Sequence, residues 1–492
     1  MMPSLLDLPM ELLVQIIQET IPVDFEAAAL SCKAMFAASA PFRAQYTRQR
    51  KRFRNFRFSR KVEENPEGAE EPGLGDHWDE ITQETGIKIV TTRELLEQIA
   101  LDPSVAQYIR FIDLREHEED EEAINALDAE VPRTLRDLVL TSPFIEAVRG
   151  NPDDWIGGIK VSGLDADVFL LTLLPQVREI ALRPRWDEID LCNERLSSVL
   201  NLVTHRANHP EAFPDAPLSR LSVVHPSRDM GYEEKSPLTP FVPFLAINSV
   251  SEVYLGSCVL KDDGYTGFAF VPMVECYSAN LRKLSLEFSV AGPEELSQLL
   301  SRIPNLEIFE FSHETKWHGC GHNWNVGAIL DTVQDTCAKT LKELSVTTYT
   351  DWGDIGATLV DMTRFQKLAV LELDVAMLCG PPYDPSMRDL EGDELESVGS
   401  PAWPKLIALL PASIEKFNLY LSTFDEDHLK CISHLIEGLS DARTTKLPHL
   451  DNLSLYVRMD SLRIPDMALE ILDAAKRSGF SILKFATSTP LL

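Results

Sequence analysis

Leu281-Arg-Lys-Leu284-Ser-Leu286, followed by Pro293-Glu-Glu-Leu296-Ser-Gln-Leu299-Leu300-Ser-Arg-Ile303-Pro304-Asn305 and then Leu306-Glu-Ile-Phe309-Glu-Phe311, holds one structural unit and the start of the next. Leu284 and Leu286 alternate with a polar residue, as a strand with one buried face requires. Leu296, Leu299, Leu300 and Ile303 recur at helical spacing. Pro304-Asn305 ends the helix just before another strand begins.

Working outward from this unit, the L-x-x-L-x-L pattern recurs along most of the chain. Before it stand Ile109-x-x-Ile112-x-Leu114, Leu135-x-x-Leu138-x-Leu140, Val177-x-x-Ile180-x-Leu182, Leu218-x-x-Leu221-x-Val223 and Val250-x-x-Val253-x-Leu255. After it stand Leu341-x-x-Leu344-x-Val346, Leu368-x-x-Leu371-x-Leu373, Ile414-x-x-Phe417-x-Leu419 and Leu450-x-x-Leu453-x-Leu455, with Ile482-x-x-Phe485 as a weaker twelfth. From Ile109 to Ile482 the mean repeat is about 34 residues, within the range of solenoids. Helical spacing returns at Ile329, Leu330, Val333 and Cys337, and again at Leu429, Ile432, Leu435, Ile436 and Leu439. The fold class predicted is therefore α/β: a solenoid of strand-then-helix units over residues 86–492, with a curved parallel sheet. Its middle apolar positions, from Ile112, Leu138, Ile180, Leu221 and Val253 to Leu284, Phe309, Leu344, Leu371, Phe417 and Leu453, are expected on adjacent strands facing one core.

Composition sets further bounds. The chain has 492 residues, is 44% hydrophobic and carries a formal charge of −31. That charge argues against nucleic-acid binding by the whole molecule, because Lys and Arg make phosphate contacts. Acid clusters at Glu63 to Glu71, Glu116 to Glu122 and Asp389 to Glu396 are expected to be solvated loops. Eight scattered cysteines without a CxxC pair fit reduced thiols in the cytoplasm or nucleus. There is no signal-peptide pattern, and the longest apolar stretch, Val168 to Leu174, is too short to span a bilayer. Residues 51–85 are predicted to connect the N-terminus to the solenoid, with a basic run from Arg48 to Lys61 and an acidic, Gly/Pro-rich loop from 62 to 80. Phe53, Phe56 and Phe58 are expected to anchor a connecting helix and a first strand. Gly380 to Pro401, His209 to Pro217 and Pro226 to Pro243 are expected to be irregular.

The first fifty residues carry more apolar surface than three short helices can bury. Pro9 suits a helix start, Glu11 favours the positive end of the helix dipole, and Leu12, Leu13, Ile16 and Ile17 follow at helical spacing. Ala27 to Met35 offers a second apolar face. The run Leu8-Pro9-x-Glu11-Leu12-Leu13-x-x-Ile16, then Leu30-Ser31-Cys32-Lys33, resembles the F-box of ubiquitin-ligase substrate receptors. Val23-Asp24-Phe25 with Leu30-Ser31-Cys32-Lys33-Ala34 is most similar to fungal F-boxes. Met35 departs from animal F-boxes, which usually carry Trp there. The resemblance implies docking of residues 1–50 to the Skp adaptor of a cullin-RING (SCF) ligase. Leu8, Pro9, Leu12, Leu13, Ile16, Ile17, Leu30, Cys32, Met35 and Phe36 would lie at that contact. The repeats resemble the leucine-rich-repeat class of F-box proteins, although the Asn or Cys usual after the third apolar position occurs only as Cys258, and repeat lengths vary.

Signatures of catalysis are missing: there is no G-x-S-x-G, P-loop, Rossmann glycine motif or H-E-x-x-H. His313, His318, Cys320 and His322 have ligand chemistry suited to zinc, but they crowd into one Gly-containing loop at no recognised spacing. A polar loop with Trp317 and Trp324 on the solenoid flank is the reading adopted, so neither metal nor other cofactor is expected. Recognition is the expected function. Arg183, Tyr254, Lys283, Glu287, Glu310, Glu372, Lys416, Tyr420 and Tyr456 alternate with buried positions and would face a protein substrate on a sheet surface roughly 55 Å long. The chain thus reads as a non-enzymatic SCF substrate adaptor. Its rivals are a Skp-bound scaffold acting outside ubiquitylation and an enzyme with an unrecognised site.

Overall fold

The structure is a computed structural model in which residues 8–58, 89–115, 130–161, 163–183, 186, 189, 194–225, 234–261, 277–316, 324–350, 355–358, 361–380, 383–388, 390, 403–421, 426–458 and 466–485 are described. The chain divides into two compact units, 1–227 with 247–250, and 228–246 with 251–492. That division falls at neither residue 50 nor residue 85. Both units are α/β with parallel strands.

Unit 1 opens with α1 (Met10–Glu19), α2 (Phe25–Ser31), α3 (Lys33–Ala38) and α4 (Ala40–Phe53). The apolar face expected from Ala27 to Met35 is not one helix. Cys32 adopts an extended backbone between α2 and α3, and its sulfur accepts the Met35 N–H at 3.5 Å, capping α3. Residues of α4 run straight into β1 (Asn55–Arg57), which pairs in parallel with β2 (Phe111–Asp113); then come β3 (Glu179–Ala181) and β4 (Val223–His225) in chain order. Phe53, Phe56 and Phe58 are all buried, as expected of an anchored connector. Phe56, Ile112, Ile180 and Val224 form one row across these strands.

Two motifs in this unit do not behave as predicted. Leu135-x-x-Leu138-x-Leu140 lies on a helix, Arg133–Leu140, in which Leu135 and Val139 are buried and Leu140 is exposed. Apolar residues at both i+3 and i+4 satisfy a helix as well as the strand motif. In Leu218-x-x-Leu221-x-Val223 the phase is displaced by three residues. Leu221 precedes β4, and Val224 is the residue beside Ile180. The apolar stretch from Val168 belongs to the helix Leu164–Leu171, buried from Ala166 onward. Among the described residues no helix is long and apolar enough to cross a membrane.

Unit 2 contains β5 (Glu252–Gly256), β6 (Val259–Leu260), β7 (Lys283–Ala291), β8 (Ile308–Glu314), β9 (Trp324–Asn325), β10 (Glu343–Thr350), β11 (Ile355–Ala357), β12 (Val370–Asp374), β13 (Lys416–Leu421), β14 (Asn452–Arg458) and β15 (Ser481–Phe485). The parallel order is β5-β7-β8-β10-β12-β13-β14-β15, with β6 on β7, while β9 and β11 pair separately. Val253, Leu284, Phe309, Leu344, Leu371, Phe417 and Leu453 stand in one continuous register row. A parallel row joins Leu255, Leu286, Phe311, Val346, Leu373, Leu419, Leu455 and Ile482. Ile482 therefore takes a third apolar position, not the first position predicted for it. Each such full burial contributes about 1.5–3 kcal/mol.

Helices Pro293–Leu300 and Val326–Cys337 follow the predicted spacing. The helix predicted through Leu439 breaks instead at Leu435 and resumes as Leu439–Lys446, with Gly438 between them at φ +70°, a conformation suited to glycine. Part of the segment expected to be irregular after Gly380 is held in place. Tyr383 lies so close to Gly327 that an added Cβ would come within 2.2 Å of it. Arg388 and Arg364 both pair with Asp331 and Asp335 on the helix beneath. Within Pro226 to Pro243, also expected to be irregular, Thr239–Phe241 and Val242–Leu245 form short helical turns.

Candidate functional site

The N-terminal helices sort their apolar residues into two sets. Leu13, Ile17 and Met35, all expected at the Skp contact, turn inward and are buried. Leu12, Leu30 and Phe36 point outward, with exposures of 42%, 75% and 45%, and Met10 joins them at 47%. Pro9 is exposed, and Leu8, Ile16 and Cys32 are half-buried. The helices are fastened to the rest of unit 1 through aromatic rings: Phe25 meets Tyr46 at 4.3 Å, and Tyr46 meets Tyr108 at 5.7 Å. Arg50 of α4 pairs with Glu26 of α2. This part of unit 1 is thus a seated helical cluster that leaves several large apolar side chains in solvent.

The predicted substrate-facing residues divide differently. In unit 2, the row between the two apolar rows reads Tyr254, Ser285, Glu310, Ser345, Glu372, Asn418 and Ser454. The Lys283 ammonium lies 2.7 Å from Glu310 and 4.9 Å over the Tyr254 ring, and Tyr254 donates to Glu252 at 3.0 Å. Burial opposes the charged form of Lys283, but Glu310 and Tyr254 outweigh it and hold its pKa above the usual value. Glu372 accepts hydrogen bonds from Ser345 at 3.3 Å and from Asn418. One row further, Tyr420 stacks on Tyr456 at 4.8 Å. Glu287 and Lys416 are half-buried on the same face. Ser285 Oγ, Glu310 Oε2 and Asn418 Oδ1 are buried and, among the described residues, have no hydrogen-bond partner.

Two of these residues are more enclosed than alternation predicts, since Glu310 and Tyr420 are buried beneath their neighbours. Arg183 is a clear correction. It is only 5% exposed and pairs with buried Asp167 at 3.0 Å, while Thr92 donates to the same carboxylate at 2.6 Å. Because β3 ends at Ala181, strand alternation does not extend to residue 183, and the side chain turns inward. Burial raises the Asp167 pKa, and Arg183 works against that rise.

Of the proposed metal-loop residues, His313 is buried and its ring stacks on Trp324 at 4.1 Å with an interplanar angle of 5°. His318, Cys320, His322 and Trp317 lie outside the described residues. Among the described residues no three His, Cys, Asp or Glu side chains converge as metal ligands. Beside His313 stands a group that sequence reasoning missed. Lys316 is 2% exposed, with Nζ 2.6 Å from Glu314 and 3.0 Å from Ser257 Oγ. Burial lowers its pKa, and Glu314 only partly restores it. No local pattern distinguishes this lysine from a surface one; only the convergence of strand ends buries it.

Compared with known proteins, the chain matches no family model and no curated protein.

Proposed function

We propose that the chain is a substrate-recognition adaptor of an SCF-type cullin-RING ubiquitin ligase. The N-terminal helices would act as an F-box and dock the Skp adaptor. The remaining sheet and helices would act as a leucine-rich-repeat-like solenoid and hold a protein substrate near the conjugating enzyme. Tethering raises the effective concentration of substrate there.

One observation carries this reading. Nine large apolar side chains are exposed among the described residues, and four of them (Met10, Leu12, Leu30 and Phe36) fall in the first fifty residues. That concentration accompanies an F-box-like motif, and aromatic and Met side chains are favoured at protein interfaces. The substrate half of the reading is supported by the broad polar face of unit 2, with its Tyr420 and Tyr456 stack.

The test is co-purification of Skp with the full chain and with a Leu8→Ala, Pro9→Ala double variant, followed by substrate ubiquitylation in the reconstituted ligase. Strong loss of Skp from a variant that keeps the wild-type melting profile is expected. Undiminished recovery of Skp would remove the adaptor assignment.

A further inference from the structure

Arg54, Arg110, Arg178 and Arg220 all belong to unit 1. A backbone ladder brings the first three side by side. Arg110 N–H donates to the Arg54 carbonyl at 2.8 Å, Arg178 N–H to the Arg110 carbonyl at 2.7 Å, and Ser222 N–H to the Arg178 carbonyl at 2.8 Å. Arg54, Arg110 and Arg178 thus stand about 4.8 Å apart per step; Ser222 holds the next position of the ladder, and Arg220 lies two residues before it. Arg54, Arg178 and Arg220 are exposed, and Arg110 is half-buried.

Among the described residues none of the four forms an ion pair. Their neighbours Arg57 and Arg115 do, both with Asp113. Arg110 donates instead to the Gln107 and Ile109 carbonyls. Its pKa is lowered first by burial and then by the charges of Arg178, Arg220 and Arg54, so the like charges act on one another. In a chain of net charge −31 carboxylates are abundant, yet among the described residues none pairs with this row. Like charges held together work against folding, and the described residues supply no ion pair that offsets this.

We propose that the row Arg54, Arg110, Arg178 and Arg220 is a binding site for an extended peptide carrying several anionic side chains, either carboxylate or phosphate. A guanidinium offers a planar fork that matches both groups with paired hydrogen bonds. Same-side residues of an extended peptide recur about every 6.7 Å, and the ladder from Arg54 to the position of Ser222 spans roughly 14 Å, enough for two or three of them. The site goes beyond the adaptor reading and stands without it, because peptide capture here needs no Skp.

Fluorescence anisotropy of labelled peptides with the purified full chain tests this. The probes are a Glu-Ser repeat, a phosphoserine-Gly repeat, a Lys-Ser repeat and an oligothymidylate of matched charge. At least one anionic peptide should bind, more weakly as salt rises, and the Lys-Ser repeat should not. Whether Glu or phosphoserine binds better identifies the source of the anion. Arg178→Glu and Arg220→Glu, both at exposed positions, should each weaken binding about tenfold or more, the loss of one charge-assisted contact. Lys430→Glu changes net charge equally on an exposed helix of unit 2 and should leave affinity unchanged. The proposal is overturned if neither anionic peptide binds, if oligothymidylate binds more tightly, or if Lys430→Glu weakens binding as much as the arginine variants. Retained Skp binding by Arg178→Glu keeps this outcome separate from the adaptor test.

Discussion

Phe56 on β1 lies directly beside Ile112 on β2, and both side chains are buried, at 3% and 0% exposure. The residues expected to connect an N-terminal module to a solenoid therefore supply the first strand of unit 1. Arg54 precedes it, aligned with the strand-start ladder, and Arg57 ends it, paired with Asp113 at 3.8 Å.

Phe56→Ala should consequently behave as a core truncation. A loss of about 3–5 kcal/mol is expected, as for other buried Phe-to-Ala changes. Urea denaturation followed by circular dichroism measures it. A loss under about 1 kcal/mol would mean that β1 contributes little to unit 1.

The N-terminal helices should separate binding from stability. Ile17→Ala removes a fully buried side chain and should cost about 2–5 kcal/mol. Leu30→Ala, at a position 75% exposed, should change stability by no more than about 0.5 kcal/mol while reducing Skp recovery. Equal effects of the two variants on both readouts would contradict the division into inward and outward faces.

Acid should weaken unit 1 through Asp113. Burial works to raise its pKa, but hydrogen bonds and charge from Arg115 at 2.7 Å, with Arg57 behind, hold it below the usual carboxylate range. A carboxyl with a depressed folded pKa stabilises the fold above its unfolded value, and that contribution is lost as pH falls through the folded one. Stability should thus decline below about pH 4, and less steeply in Asp113→Asn. Denaturation midpoints measured across that range decide it, and parallel slopes for the two proteins would count against Asp113.

Lys316 and Glu314 form a buried ion pair, and breaking one side of it leaves a charge without its partner. Lys316→Met should cost about 3–5 kcal/mol, whereas Lys316→Met combined with Glu314→Leu should recover most of that loss. A double-mutant cycle reads the coupling directly. Additive losses in the double variant would show that the pair is not coupled.

Metal analysis of the purified chain should find no stoichiometric zinc. Tetrahedral zinc needs four donors at about 2.0–2.3 Å, and His313 already stacks on Trp324 inside unit 2. One equivalent of zinc, lost in Cys320→Ser with His322→Ala, would establish a metal site.

The long strands of unit 2 were legible because each motif carries its own evidence, two apolar residues separated by one other, whereas the short β6, β9 and β11 carry no such motif. Seven middle positions from Val253 to Leu453 fall in one register row because each β-strand repeats the same local pattern. Period alone could not separate Leu135 and Leu138 on a helix from the same spacing on a strand, nor set the phase at Leu221 and Ile482. The candidate contact residues were legible as apolar, but their direction was not. Leu12 and Leu13 are chemically identical neighbours, and only packing of the helices and strands around them leaves one exposed and buries the other. The arginine row shows the same division. Sequence placed Arg54, Arg110, Arg178 and Arg220 far apart as separate charges, while strand pairing brought the first three into one line and Arg220 close to its end. Local alternation thus determined which residues could form strands. Register, burial and the company of charges belonged to the tertiary structure, because each depends on neighbours contributed by distant parts of the chain.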